Sequence, residues 1–164
     1  MQETFKDVNG NVITFTTKKG AFFKEPQHVL VICRYNDQWL LTKHPQRGLE
    51  FPGGKREGKE RIQDTAKREV FEETGGIVSK LRFIGEYEVK LETESFIKSV
   101  FFASVDRLED KKDYLETEGP VLLQSLPSDF SGKEFSFIMK DRVVELSLKE
   151  IKNIMEPVKK VGES

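Results

Sequence analysis

The sequence predicts an α/β domain in which a mixed β-sheet carries helices packed on its faces. Strand-like segments, continuously apolar or alternating apolar and polar, occur on both sides of a segment with helical spacing, and a second helical segment follows later. Strands that alternate with helices in this way indicate layers of sheet and helix. With 164 residues, 37% of them hydrophobic, the chain can bury the core of one domain spanning residues 1–164.

The first strands are predicted from apolar patterning. Residues 11–17 alternate apolar and polar side chains, as an edge or half-buried strand does. Residues 28–35 are almost continuously apolar, which is typical of a central strand. Asn36-Asp37 predicts a turn that leads into a second strand at residues 39–42. Residues 43–48 are then predicted to form a polar loop.

A helix is predicted over about residues 60–74. Gly53-Gly54 precede it, and Gly75-Gly76 follow it as the left-handed cap that commonly ends a helix.

The second half of the chain predicts shorter elements and one more helix. The predicted elements are strands at 81–89, 96–105 and 121–124, a loop at 107–117, a helical turn at 135–140, a short extension at 143–146 and a helix at 147–160. Ser147 is predicted to be the N-cap of the last helix, because Glu150 follows three residues later in the capping-box pattern.

The helix at 60–74 carries an unusual acidic cluster. Its apolar stripe consists of Ile62, Ala66 and Val70. At about 100° per residue, Glu69 and Glu73 fall on that same stripe and Glu72 lies at its margin. Like charges three or four residues apart repel by roughly 0.2–0.5 kcal/mol per pair, and burial of an unpaired carboxylate costs far more.

This cluster needs positive charge beside it. Arg68 can pair with Glu72 one turn away, but one guanidinium cannot neutralise three acids. Divalent cations such as Mg²⁺ prefer carboxylate oxygen ligands, so the cluster predicts a metal site. The alternative is a solvated acidic face, which the shared apolar stripe and the flanking glycines disfavour.

Residues 54–75 resemble the signature of the Nudix hydrolase family, G-x5-E-x7-R-E-U-x-E-E-x-G-U, where U is a bulky aliphatic residue. The matching residues are Gly54, Glu60, Arg68, Glu69, Val70, Glu72, Glu73 and Gly75. The final U position holds Gly76 instead, with Ile77 one place later, which leaves the acids untouched. The resemblance implies the Nudix fold, an α/β/α sandwich with a mixed β-sheet.

The resemblance also implies roles for individual residues. Glu69, Glu72 and Glu73 would bind Mg²⁺, for which Mn²⁺ could substitute, and the carbonyl of Gly54 could join them. Glu69 is the first choice for the general base, Glu72 the second, and Arg68 would orient the glutamates. Glu60 would partner Arg68 or act as an outer ligand. A later loop acid often completes such sites, and here Glu116 and Glu118 are the candidates.

Four further residues are candidates for substrate binding. Lys55 and Arg34 could contact phosphate oxygens, although both could equally be exposed ion-pair partners. Tyr35 and Phe51 could stack on a purine, although such residues are more often part of a core.

Other segments narrow the expected substrate. FPGGK at 51–55 resembles the MutT-like branch of the family, which cleaves nucleoside triphosphates. HVLVICRYNDQWLLTKH, ETEGPV and FSFIMKD resemble the YtkD-type group of Gram-positive bacteria, which acts on oxidised guanine nucleotides and on the triphosphate end of RNA. The expected function is therefore a Mg²⁺-dependent pyrophosphohydrolase of nucleoside triphosphates or RNA 5′ ends. The alternatives are another nucleoside diphosphate-linked substrate and a binding module without turnover.

Bulk properties exclude several other classes. The net charge of −1 and a pI of about 6.2 are unlike those of proteins that grip long nucleic acid, so no stable duplex partner is expected. Cys33 is the only cysteine, which excludes an internal disulfide and predicts a small core residue. No apolar run approaches the ~20 residues of a membrane span, and no signal peptide opens the chain. The sequence therefore predicts a cytoplasmic protein with no membrane partner.

Overall fold

A mixed β-sheet forms the middle layer of the protein, which we analysed as a computed structural model that describes residues 1–155. The strands in this range are β1 (Gln2–Lys6), β2 (Val12–Thr16), β3 (His28–Tyr35), β4 (Gln38–His44), β5 (Gly48–Glu50), β6 (Gly53–Lys55), β7 (Gly76–Lys90), β8 (Ser95–Leu108) and β9 (Pro120–Leu123). The helices are α1 (Ile62–Thr74), α2 (Arg142–Met155) and a single 3₁₀ turn at Phe137–Met139.

The strand order β1-β2-β7-β8-β3-β4-β5 places β3 inside the sheet, with β6 paired to β3 and β9 paired to β4. Only the β3–β8 pairing is parallel among these strands, so the sheet is mixed, as predicted. The predicted central strand has the observed ends of β3. Strands β7 and β8 extend beyond their predicted ranges because they pair with each other along almost their whole length.

The two helices cover opposite faces of the sheet. Side chains of β3 alternate between the faces: Val31 and Cys33 pack in a core cluster with Val70 of α1. Leu30 and Ile32 point the other way, into the cluster that includes Val143, Val144, Leu146 and Ile151 of α2. This arrangement confirms the α/β/α sandwich. The side chain of Cys33 is buried and its thiol forms no disulfide, which confirms the prediction that Cys33 is a core residue.

The second helix begins earlier than predicted. Residues 143–146 are its first turns and not a separate extension. Its first turn is capped by Asp141, whose Oδ1 accepts a hydrogen bond from the N–H of Val143 at 2.8 Å. Ser147 is fully buried within the helix, so the predicted N-cap was wrong. The capping-box pattern at Ser147 was misleading, because the side-chain oxygen of Asp141 caps the helix further upstream. Residues 156–160 of the predicted helix lie outside the described range.

The polar strands were the hardest to predict. Strand β1 was missed, and it pairs with β2, so β2 is not an edge strand. The predicted loop at 43–48 contributes its first two residues to β4 and its last to β5. The predicted turn at residues 135–140 is confirmed by the 3₁₀ helix. Within residues 1–155, no helix is long and apolar enough to cross a membrane.

Candidate active site

Helix α1 carries the acidic cluster, and its apolar stripe fixes the direction of the acids. Ala66 and Val70 are fully buried against the sheet. Glu73 lies on the same stripe and is 8% exposed. The side chain of Glu69 is 12% exposed and that of Glu72 is 28% exposed. The predicted stripe is therefore confirmed, with Glu72 at its margin.

The end of α1 is held by a glycine and by a lysine from a distant loop. Gly75 adopts the predicted left-handed conformation, with φ of 77°, and its N–H donates to the carbonyl of Phe71. The last turn contains no basic residue of its own. Lys111 supplies the charge: its Nζ donates to the carbonyls of Phe71 at 3.2 Å and Glu72 at 3.0 Å. A cation at this position offsets the negative end of the helix dipole.

Strand β6 brings backbone directly against the acids. It pairs with β3, which sets Gly54 opposite Val29. A Cβ atom on Gly54 would lie 1.9 Å from Oε2 of Glu69, so only glycine fits there. The N–H of Gly53 donates to Oε1 of Glu73 at 3.3 Å. The absence of side chains at Gly53 and Gly54 therefore lets the backbone lie close to the acids.

Arg68 is the internal counterion of the cluster. Its Nη2 lies 2.6 Å from Oε1 of Glu60. Its Nη1 lies 3.1 Å from Glu72, 3.4 Å from Glu69 and 3.5 Å from Glu57. Ion-pairing with Arg68 lowers the pKa of Glu60 to about 2. These contacts agree with the predicted orienting role of Arg68, and they show a further partner, Glu57, that the sequence did not reveal.

The acids of α1 open into one cleft of about 190 Å³, which we call the acid cleft. Its lining residues are Glu57, Arg68, Glu69, Glu72, Glu73, Leu115 and Glu116. Of the two loop candidates, Glu116 lines this cleft. Glu118 is half-exposed and lies 3.9 Å from Lys43 instead.

Two threonines fix the loop of Glu116 to the end of α1. The Oγ1 of Thr117 donates to the carbonyl of Glu73 at 3.2 Å. The buried Oγ1 of Thr42 lies 3.1 Å from the same carbonyl and 2.9 Å from that of Gly119. These contacts bring Glu116 to the acid cleft. The spacing of the motif residues does not predict the two threonine contacts.

Burial raises the pKa values of Glu69 and Glu73. Desolvation raises the pKa of Glu69 to about 7, against the opposing effect of Arg68. Desolvation and the neighbouring Glu69 raise the pKa of Glu73 to about 9. Both carboxyls therefore resist ionisation near neutral pH unless further positive charge enters the cleft.

The raised pKa values predict pH-dependent stability without metal. Carboxyls of the unfolded chain ionise near pH 4.5, whereas Glu73 keeps its proton to about pH 9 when folded. The unfolded state therefore binds fewer protons than the folded state at neutral pH. We expect the unfolding free energy in EDTA to fall between pH 6.5 and pH 8. The fall is at most about 1.4 kcal/mol per pH unit for each such carboxyl. Urea denaturation at both pH values measures this fall. A Glu73→Gln control should flatten it, and an equal fall in that variant would contradict the assignment.

The donor set of the acid cleft fits a divalent cation. It offers several carboxylate oxygens, and the backbone of Gly54 lies beside them, where a Cβ atom would clash with the carboxylate of Glu69. Hard cations such as Mg²⁺ choose such oxygens. No ready-made group of three ligating side chains exists among residues 1–155. Arg68 instead stands among the carboxylates as their counterion.

The four predicted substrate-binding residues lie in different places. Lys55 follows Gly54, and its carbonyl accepts a hydrogen bond from Arg68 at 3.0 Å while its side chain is exposed. Arg34 and Tyr35 lie at the other end of β3, about 16 Å along the strand from the residue opposite Gly54. The structure therefore brings only Lys55 near the acid cleft.

Arg34 and Phe51 have other surroundings. The guanidinium of Arg34 stacks on Trp39, with 4.5 Å between its Cζ and the ring centroid. Phe51 is 1% exposed and contacts Trp39 edge-on. Tyr35 packs against the core cluster of α1. None of these three side chains lines the acid cleft.

A small cavity of about 100 Å³ is lined by Gly53 and Gly54 together with several charged side chains. Arg47 and Glu50 form an ion pair of 2.8 Å there, with the side chain of Glu50 only 4% exposed. Lys98 also lines the cavity, and burial lowers its pKa. Sequence reasoning missed these residues. The available signal was one lysine inside the apolar strand at residues 96–105.

His28 completes this cavity. Its Nδ1 is buried without a hydrogen-bond partner among the described residues. Burial and the nearby charge of Lys98 lower its pKa to about 4, so the ring is neutral at neutral pH. A buried polar atom without a partner is uncommon in folded proteins.

Comparison with known proteins identifies relatives of this chain. The chain is 46% identical over 149 residues to YtkD of Bacillus subtilis (strain 168), a candidate 8-oxo-dGTP diphosphatase, and the match covers 90% of this chain and 94% of the relative. The crystal structure of a glutamate-to-alanine mutant of the Bacillus subtilis pyrophosphohydrolase BsRppH superposes with a TM-score of 0.90 at 44% identity. That match covers 93% of this chain and 97% of the other.

A more distant structure shows how far the fold is shared. A Nudix hydrolase from Nitrosomonas europaea matches with a TM-score of 0.58 at 19% identity, over 78% of this chain and 89% of the other. The profile of the NUDIX domain matches residues 20–125, which include β3 to β9 and all of α1. Together with the acid cleft, these matches show that the chain belongs to the Nudix family.

Proposed function

We propose that the protein is a Mg²⁺-dependent pyrophosphohydrolase of nucleoside triphosphates, oxidised dGTP among them, or of the 5′-triphosphate end of RNA. The observation that carries this proposal is the convergence of Glu69, Glu72, Glu73 and Glu116 on one cleft beside Gly54. The similarity to the two Bacillus subtilis proteins supports the substrate class. A cytoplasmic location stays a prediction from the sequence.

The acid cleft supports a division of labour among its residues. Glu69, Glu72 and Glu73, with the carbonyl of Gly54 and with Glu116, would hold the cation. A bound Mg²⁺ would neutralise polyphosphate charge and lower the pKa of a water molecule. Glu69 is suited to act as the general base, because its carboxylate lies in the acid cleft beside the other glutamates that would hold the cation. Arg68 holds Glu69 and Glu72 in place.

The reaction itself is hydrolysis of a phosphoanhydride. The oxygen of a water molecule attacks phosphorus, its proton passes to the carboxylate of Glu69, and the bond from phosphorus to the bridging oxygen breaks. The leaving phosphate or pyrophosphate takes the electron pair of that bond. The remaining product carries a 5′-monophosphate after release of pyrophosphate, or after release of two phosphates in turn.

A side-by-side rate comparison tests the proposal. We expect the protein with Mg²⁺ to hydrolyse oxidised dGTP, ordinary nucleoside triphosphates or triphosphorylated RNA, and to lose this activity in EDTA. Mn²⁺ should restore turnover. Release of no phosphate or pyrophosphate from any of the three, with either metal, would contradict the enzyme assignment and favour a binding module. Turnover of a nucleoside diphosphate-linked compound alone would move the assignment to that class.

A further inference from the structure

A larger cleft of about 570 Å³ lies next to the acid cleft, and we call it the basic cleft. The loop between β6 and α1 contributes to both. Glu57 of this loop lines the acid cleft, whereas Arg56, Lys59 and Glu60 line the basic cleft. The Glu60–Arg68 ion pair, of 2.6 Å, joins the two, because Glu60 lines the basic cleft and Arg68 lines the acid cleft. A ligand held by the acid cleft could therefore continue into the basic cleft.

The basic cleft concentrates positive charge in a chain whose net charge is −1. Five cationic residues line it: Lys19, Lys24, Arg56, Lys59 and Arg61. Lys59 forms no ion pair or hydrogen bond with any residue that the structure describes.

The acids in the same lining are already engaged. Glu25 lies 3.4 Å from Arg56, Glu60 pairs with Arg68, and Glu86 accepts a hydrogen bond from the N–H of Gly20 at 3.1 Å. Arg56 and Arg61 are ion-paired as well, with Glu25 and Asp64. The five cations of the lining still outnumber its three acids, and this excess of positive charge complements a polyanion.

The basic cleft also has an aromatic component. Phe23 is 98% exposed, the most exposed large apolar side chain among residues 1–155. Phe83 and Phe101 form part of the wall behind it. Exposed aromatic rings interleaved with lysine and arginine are typical of surfaces that bind single-stranded nucleic acid, because unpaired bases stack on the rings while the cations contact phosphates.

We propose that the basic cleft binds the single-stranded RNA chain that follows a 5′-triphosphate end held in the acid cleft. Lys19 and Lys59 contact backbone phosphates, and an unpaired base stacks on Phe23. This inference rests on the proposed function and selects RNA among its substrates. A mononucleotide has no chain to fill the cleft, whereas a longer RNA gains contacts there, so binding should strengthen with RNA length.

The test compares binding and turnover on substrates of different length. We expect a fluorescently labelled, triphosphorylated single-stranded octamer to bind more tightly than the dimer. Phe23→Ala should weaken octamer binding about tenfold, the effect of losing one stacked base. Lys59→Gln should weaken it less and reduce its salt dependence. Both variants should hydrolyse GTP like the unmodified protein.

Phe137→Ala and Lys149→Gln are the matched controls, because both residues are exposed and neither lines the basic cleft. Equal affinity for octamer and dimer, or unchanged octamer affinity in Phe23→Ala and Lys59→Gln, would overturn the inference even if triphosphates are hydrolysed. Absence of all turnover alongside length-dependent binding would instead defeat the proposed function and leave the basic cleft as an RNA-binding surface.

Discussion

Glu69→Gln is expected to lower kcat by a factor of about 10²–10⁴, the usual contribution of a positioned general base. The substitution removes the carboxylate that approaches Gly54 and lies 3.4 Å from Nη1 of Arg68. The neutral amide can neither accept the proton of water nor serve as an anionic ligand. The folded structure should persist, because the change also removes repulsion with Glu72 and Glu73. The measurements are steady-state rates with saturating Mg²⁺ and a urea unfolding curve.

Two loop acids provide the control for Glu69. Glu118→Gln should leave the rate unchanged, because Glu118 is half-exposed and pairs only loosely with Lys43. Glu116→Gln should give an intermediate loss, because Glu116 lines the acid cleft. If Glu69→Gln retained the rate of the Glu118→Gln control, the acid cleft would not be the catalytic site.

Arg68→Met is expected to have the largest effect on stability. Glu57, Glu60, Glu69 and Glu72 would lose their shared counterion at once. Breaking a fully buried ion pair costs about 3–5 kcal/mol. Because the side chains of Arg68 and Glu60 are each about one-fifth exposed, we expect a smaller loss of about 1–3 kcal/mol in EDTA. Mg²⁺ should restore part of it, since a bound cation replaces the missing charge.

Arg61→Met is the matched control for Arg68. Arg61 belongs to the same segment and pairs with Asp64 at 3.1 Å, but its side chain is 74% exposed. Its urea midpoint should remain close to that of the unmodified protein. Equal midpoints for Arg68→Met and Arg61→Met would show that Arg68 does not serve as the counterion of the cluster.

The acidic helix was the most predictable part of the molecule, for a physical reason. Its stripe and its glycine cap follow from spacing along one continuous segment. Local geometry fixes such features before tertiary contacts are known. The central strand β3 was predictable on the same basis, because burial on both faces leaves a continuous apolar run.

Features made by distant segments could not be predicted in the same way. Lys111 reaches the end of α1 across about forty residues of chain, and Thr117 ties its loop to Glu73 across a similar span. Arg34 appeared suited to phosphate binding, yet pairing of β4 with β3 places Trp39 beneath it. The pairing of polar strands such as β1 likewise depends on partners that no single segment encodes.

The hydroxyl of Thr42 has a consequence for how the site can move. It contacts both the end of α1 and the backbone at Gly119, while Thr117 adds a second tie to the same carbonyl. Residues 117–119 are thereby anchored to the helix, so Glu116 sits one position from a fixed pivot. A change in the distance from Glu116 to the acids of α1 would therefore require rearrangement of residues 112–116, on the side of Glu116 away from these contacts.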